Sequence, residues 1–294
     1  MISQATGWPA IDGYTRIDSG TRTVYVETAH LPAVEALGFV LGEATTSPVG
    51  TLGGRVEHSV YALPAGDGVD TTTRVLWKHC RRGGLVEPIL EDRHYNVTRF
   101  IEELRLTAAV ARAGIPVAPI IGLAIEECGR VGAKQVDVLS TVIHGARDVG
   151  DTLIEGTLSA RKRHSLIREM AQVLRRFHGA GFLHGDLNLK NIVWTPNEVD
   201  GIDVALIDLD PGRKAQKVET QRHPNLLRLW RSYLKGERAR KWELSTTELF
   251  RFAHTYFRGD APALAAFIRR ARRAKKLSRL RYAFRGRRGS DRNA

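Results

Sequence analysis

Hydrophobic and polar positions repeat at two periods along the chain, and the switch between them divides it. Residues 21–27 (TRTVYVE) alternate with period two and are rich in β-branched and aromatic types, as a strand requires. Residues 32–37 suit a short helix, whereas residues 1–20 carry little pattern. Two further alternating runs, 56–63 and 73–78 (TRVLWK), flank the turn-rich stretch 64–70 and predict a pair of antiparallel strands. Residues 96–113 then read as an amphipathic helix with Phe100, Leu104 and Ala108 on one stripe, stopped by Gly114 and Pro116. The apolar segments 117–125 and 134–143 are expected to be strands.

From Thr157 the period changes to that of helices. Ser159 is placed to cap a helix reaching His178, with Leu166, Met170, Val173 and Phe177 on its inner face. Short apolar runs at 192–194 and 204–207 interrupt the helices, which resume at 225–235, 245–258 and 261–276. Strands with one embedded helix followed by mostly helices predict an α+β fold with two lobes. The expected division is an N-terminal lobe with its extension at 1–143, a C-terminal catalytic lobe at 144–268 and a basic tail at 269–294.

Composition excludes several classes. With 43% hydrophobic and 26% charged residues the chain matches ordinary globular proteins, not collagens, coiled coils or disordered chains. Cys80 and Cys128 cannot form a CxxC metal site, and reduced thiols of a cytosolic protein are expected. The start MISQATGWPA lacks the layout of a signal peptide, and the longest apolar run, 115–125, is too short to cross a bilayer. A soluble or peripheral protein is expected.

Charge adds a second division. The net charge is +13, yet residues 269–294 alone carry 12 Lys/Arg against Asp291, and residues 213–241 carry 10 against Glu219 and Glu237. The remainder of the chain is therefore acidic, at −6. Such asymmetry suits an anionic partner: nucleic acid, a membrane surface or a phosphorylated substrate.

The chemistry concentrates in HGDLNLKN, 184–191, and ALIDLD, 205–210. An Asp, an Asn five residues on and a second Asp after an apolar run form a phosphoryl-transfer pattern. Asp186 is the candidate base for the attacking hydroxyl, and the hard oxygens of Asn191 and Asp208 suit Mg²⁺. Upstream, Lys78 ends a predicted strand, where a nucleotide-binding lysine is expected. Glu102 and Glu103 both offer it an ion-pair partner, about 100° apart on one helix, and periodicity does not choose between them. The turn Gly50-Thr51-Leu52-Gly53-Gly54 precedes a strand as a phosphate-covering loop does, although it is not GxGxxG. His178 is expected to be a buried, hydrogen-bonded residue, and Trp230 with Tyr233 to pack rather than stack on a ligand.

The stretches WKHCRRGGLV (77–86), ARAGIPVAP (111–119), STVIHGARDVGDTL (140–153), FHGAGFLHGDLNLKNIVW (177–194), LIDLDPGR (206–213) and NLLRLWRSYLK (225–235) resemble the bacterial lipopolysaccharide kinase family, most closely its 3-deoxy-D-manno-octulosonic acid (Kdo) kinases. The resemblance runs from about residue 50 to 236. It implies a two-lobed protein-kinase-like fold and ATP-dependent phosphorylation of a Kdo hydroxyl on a lipid A precursor. It also implies Lys78 as the phosphate-binding lysine, Glu103 as its partner, and Gly53 and Gly54 in the nucleotide loop. Asp186 corresponds to the base, Asn191 and Asp208 to the metal ligands, and Asp210 to the second acid of an Asp-Phe-Asp in which Leu209 replaces Phe. Val56-Glu57 departs from the family's small residues, and the first 50 residues and the basic tail match nothing in it.

Only about 16 residues separate Asp208 from the predicted 225 helix, no Ala-Pro-Glu follows, and Gly185 stands where a phosphate-reading Arg would. These features favour a small-molecule or glycan acceptor over a protein. A peripheral site at the cytoplasmic face of the inner membrane, docked through the basic segments, follows, and no nucleic-acid partner is expected. Arg81 and Arg82 are open to contact with acidic groups. The alternatives are a heptose kinase of the same family, an atypical protein kinase or ATPase in an RNA-associated complex, and a nucleic-acid-binding protein on a relic kinase fold.

Overall fold

The computed structural model describes residues 9–52, 57–64, 72–80, 93–129, 132–197, 201–209, 212–215, 218–239 and 244–290. The chain forms two compact units, Met1–Ala109 with Ala118–His144, and Val110–Val117 with Gly145–Ala294.

The first unit is built on a seven-stranded antiparallel sheet. Its strands are β1 (Tyr14–Ser19), β2 (Arg22–Glu27), β3 (Gly50–Leu52), β4 (His58–Ala62), β5 (Arg74–His79), β6 (Ile120–Cys128) and β7 (Ala133–Thr141), in the order β1-β2-β6-β7-β5-β4-β3. Both faces are covered, so alternation sorts apolar side chains between two cores instead of between core and water. In β2, Tyr25 joins one core with Phe100, Ile101 and Leu104 of the Thr98–Arg112 helix. Val24 and Val26 join the other, with Val34, Leu37 and Phe39 from the Leu31–Ala36 helix and the chain beyond it. A register shift at Ile120/Gly122 turns β6 over, so that Ile120, Leu123 and Ile125 share a core although they do not alternate evenly. Gly122 is required there: a Cβ would stand 2.8 Å from the Phe39 ring and 3.1 Å from Leu139 Cβ.

β1 lies within the stretch without sequence pattern. It is an edge strand with a polar, half-exposed face, which leaves no clean alternation to read. Together with β2 and the 31–36 helix it makes the N-terminal extension an integral part of the sheet.

The second unit opens with β8 (Arg147–Asp148) and a helix at Val149–Glu155, where sequence pattern predicts none before Thr157. Asp148 caps that helix by accepting from the Asp151 amide, and Gly156 closes it with a left-handed backbone. The Ala160–Gly179 helix follows, capped by Ser159 and burying Leu166, Met170, Val173 and Phe177. After β9 (Phe182–Leu183) come the hairpin β10 (Ile192–Pro196) and β11 (Ile202–Leu206), the short β12 (Arg213–Lys214), and helices at Val218–Arg238, Thr246–Tyr256 and Ala261–Ser290. Two helices exceed their predicted lengths. The 218–238 helix begins seven residues before the expected start at 225 and winds through Pro224. Proline there removes one main-chain bond, while Leu226, Leu229, Tyr233 and Leu234 bury the following turns. The last helix continues past 276 to Ser290, through a run dominated by strong helix formers such as Arg, Ala and Leu.

Candidate active site

The 184–191 loop joins β9 to β10, and the β10–β11 hairpin returns the chain to it. Ile192 pairs with Leu206, and one step further the Ile207 amide donates to the Asn191 carbonyl at 3.1 Å. Asp208, 17 positions after Asn191, is therefore the residue next to Asn191's cross-strand partner. Asp186 is tied to the same place, because the Asn191 side-chain amide donates to its carbonyl at 2.9 Å. The second unit thus gathers Asp186, Asn191 and Asp208.

Asn188 orders this loop. Its Nδ2 donates to both the carbonyl and Oδ2 of Asp186, each at 3.0 Å, while its Oδ1 accepts from the amides of Lys190 and Asn191. One side chain thereby fixes the Asp186 carboxylate and caps the short 3₁₀ turn Leu189–Asn191. Lys190 faces Asp151 in an exposed pair at 3.2 Å, worth little in water.

A chain of neutral hydrogen bonds supports the loop from beneath. The Tyr256 hydroxyl donates to His178 Nδ1 at 2.6 Å, and His178 Nε2 donates to Asn225 Oδ1 at 2.9 Å. Asn225 in turn donates to the His184 carbonyl at 2.6 Å and accepts from the His184 amide. His184 completes it, with Nε2 donating to the Ile207 carbonyl at 3.0 Å and Nδ1 accepting from the Asp186 amide at 3.2 Å. Both rings are deeply buried, and burial lowers their pKa values, that of His178 to about 4. Neutral rings are what these donor and acceptor roles require. A further tether runs from the Leu189 amide to Ser232 Oγ at 3.3 Å.

Asp208 differs from its surroundings. It is exposed, its carboxylate has no hydrogen-bond partner among the described residues, and its φ of 56° is the one positive value among their non-glycine members. A left-handed backbone that presents a carboxylate without a partner among the described residues makes Asp208 a candidate functional position. The Asn191 Oδ1 also lacks a protein partner among them, since that side chain bonds through Nδ2. Two hard oxygen donors on adjacent positions fit a small divalent cation that takes its remaining ligands from phosphate and water. Among the described residues no group of three or more His, Cys, Asp and Glu side chains forms a metal cage.

Lys78 and Glu103 belong to the first unit. Lys78 lies on β5 opposite Val138, exposed, on the sheet face that also carries Cys80 and the 98–112 helix. On that helix Glu102 is exposed and Glu103 half-buried. Burial pushes the Cys80 thiol up to about 12; the Lys78 charge opposes this shift and that of Glu103 adds to it. That thiol is a packing group, not a nucleophile. Gly53, Gly54, Arg81, Arg82 and Asp210 lie outside the described residues.

His178 is buried and bonded at both nitrogens, as expected. Trp230 and Tyr233 stack on each other, with ring centroids 5.1 Å apart. Sequence reasoning assigns no role to Asn188, His184, Asn225 or Ser232. The first two lie inside the motif, and Asn225 opens the NLLRLWRSYLK stretch, yet only three-dimensional contacts give them their work.

A small antiparallel sheet unit and a mainly helical unit holding this loop and hairpin define a kinase-like α+β fold. The chain belongs to the lipopolysaccharide kinase (Kdo/WaaP) family, whose model matches residues 65–256, well over half of its length. It is 31% identical to the 3-deoxy-D-manno-octulosonic acid kinase of Vibrio parahaemolyticus over 56% of this chain and 66% of that one. The chain thus spans about two thirds of the length of the curated Kdo kinases it matches. A probable bifunctional tRNA threonylcarbamoyladenosine biosynthesis protein of Haloquadratum walsbyi is 31% identical over 44% of this chain and 20% of that protein. Among solved structures, WaaP in complex with acyl carrier protein is similar over 82% of this chain and 91% of that chain, with a TM-score of 0.48 and 18% identity.

Proposed function

We propose that the protein is an ATP-dependent kinase of a Kdo hydroxyl in the lipopolysaccharide inner core or a lipid A precursor. The observation that carries this reading is the Asp186 carboxylate, held by Asn188 beside Asn191 and the left-handed Asp208, whose carboxylate has no partner among the described residues. The acceptor oxygen attacks the γ-phosphorus of ATP, the bond to the ADP oxygen breaks, and Asp186 takes the hydroxyl proton. Asn191 and Asp208 would hold Mg²⁺, which neutralises charge on the phosphate oxygens. Lys78, oriented by Glu103, with Gly53 and Gly54, contacts the nucleotide phosphates. His184 stays neutral and donates to the Ile207 carbonyl, which keeps Asp208 registered against the loop.

The acceptor is a glycolipid, and the basic segments suit its surroundings. Arg269, Arg272, Arg273 and Lys276 are exposed on the last helix. Each such charge near an anionic leaflet adds about 1 kcal/mol of attraction. No helix among the described residues is long and apolar enough to cross a membrane. Peripheral contact with the cytoplasmic face of the inner membrane is the arrangement that joins these features, and it needs no nucleic-acid partner.

The test is phosphoryl transfer from ATP with Mg²⁺ to Kdo-lipid IVA, read as a mass increase of one phosphate. Asp186→Asn is expected to lower the rate by about 10²–10⁴-fold while leaving the unfolding midpoint in place. Wild-type protein inert on every Kdo-bearing acceptor would sink the reading. Transfer to a heptose or to protein in its place would reassign the substrate within the kinase class.

A further inference from the structure

The helix that anchors the catalytic loop also carries a cation with no partner among the described residues. Asn225 and Ser232 of the 218–238 helix bond the main chain of His184 and Leu189, so the side of the helix they share runs along the loop. Residues advance 100° along an α-helix, which puts Arg228 about 60° from Asn225 and about 40° from Ser232 on that side. Its charge reaches His184, where it adds to the stronger effect of burial in keeping the ring neutral. Arg228 is nevertheless exposed, and its side chain has no hydrogen-bond or ion-pair partner among the described residues. Arg231 and Lys235 continue the stripe at spacings of three and four, exposed and equally unpartnered. The three span about 10 Å of helix.

Two other arginines of this unit are committed to carboxylates: Arg163 grips Glu248 through two bonds, and Arg222 holds Asp260. Arg228 is set apart by its place beside the loop, where its charge reaches His184, while it forms no ion pair with Asp186 or Asp208. A guanidinium kept free on a rigid helix is suited to bidentate capture of a carboxylate or phosphate. We infer that Arg228, extended by Arg231, holds an acidic group of the acceptor while the acceptor's hydroxyl meets Asp186. This rests on the kinase reading above and deepens it. It identifies the acceptor as a sugar bearing an oxyanion close to the reacting hydroxyl. Kdo offers its own carboxylate, and the lipid A precursor offers phosphates.

Affinity for Kdo-lipid IVA, measured by calorimetry in the presence of a non-hydrolysable ATP analogue, tests the site directly on the full chain. Arg228→Gln is expected to weaken binding about 10-fold or more, with nucleotide affinity and unfolding midpoint unmoved, and Arg228→Lys to restore part of the loss. An acceptor with its Kdo carboxylate esterified should bind the wild type as poorly as the native acceptor binds Arg228→Gln if the carboxylate is the ligand. A dephosphorylated acceptor should do so if a phosphate is. Equal affinity of wild type and Arg228→Gln, or absence of binding altogether, overturns the proposal. Arg228-dependent binding without phosphoryl transfer would overturn the kinase reading alone, and transfer with Arg228-independent affinity would overturn the anion site alone.

Discussion

Each unit buries a polar cluster, and the two are built on opposite electrostatic terms. In the first, the Arg22 guanidinium donates to Glu126, to Asp137 and to the Phe39 carbonyl, while His79 meets the other Asp137 oxygen at 2.7 Å. Charges bind four strands together, β2, β5, β6 and β7. Gly42 packs so closely on this guanidinium that a Cβ would lie 3.1 Å from its carbon. In the second, Tyr256, His178, Asn225 and His184 form a network with no charge in it. The difference follows from what each cluster supports. A structural cluster is free to neutralise its own carboxylate. One placed beneath Asp186 and Asp208 holds the loop without bringing in a cation to pair with those carboxylates, as their proposed roles would require.

Removing one partner of the charged cluster should therefore have the largest effect on stability. Arg22→Met leaves the buried Asp137 carboxylate with His79 as its remaining partner and is expected to cost about 3 kcal/mol in denaturant unfolding. Adding Asp137→Leu to the same protein should recover a large part, and a double variant as unstable as the single one would contradict the account. The neutral cluster predicts a pH response instead. Burial holds His178 near 4 in the folded protein against 6.5 in the unfolded chain, so the unfolded state takes up the proton first as pH falls. Its contribution is complete above about pH 6.5 and disappears progressively down to about pH 4, a loss of about 3 kcal/mol. His178→Gln, which can keep one acceptor and one donor, should flatten that slope in unfolding curves taken across the interval. The smallest effect on stability is expected at the exposed end of the network. Asn188→Ala removes a cap worth about 1 kcal/mol. It should nonetheless slow transfer about 10-fold, through kcat more than through KM, because the Asp186 carboxylate loses its orienting donor.

The two clusters also explain what sequence reading reaches. Asp186 and Asn191 lie within eight consecutive residues, and one hairpin returns Asp208 to them, so local spacing was enough to group all three. The Ser159 cap and the inner face of the 160–179 helix were legible for the same reason: their partners lie within a turn or two. Arg22 and Asp137 are 115 residues apart, and His178 and Tyr256 are 78 apart. No periodicity records such pairings, because they depend on sheet order and helix packing. β1 escaped notice as a polar edge strand, and the 149–155 helix because seven residues are too few to show a stripe. The start of the 218–238 helix was misplaced because Pro224 looks like a boundary when tertiary burial is not visible.

Asp208 carries an evolutionary consequence. Glycine adopts its left-handed backbone without strain, but what that relieves is offset by the unfolded-state freedom glycine adds. Stability therefore gives the chain little reason to keep an aspartate rather than a glycine at this position. A descendant that kept the fold but gave up phosphoryl transfer would be free to lose the carboxylate. On the role proposed for Asp208, the side chain at 208 then serves as a marker across a lineage, where loss of the carboxylate records a copy retained for something other than phosphoryl transfer.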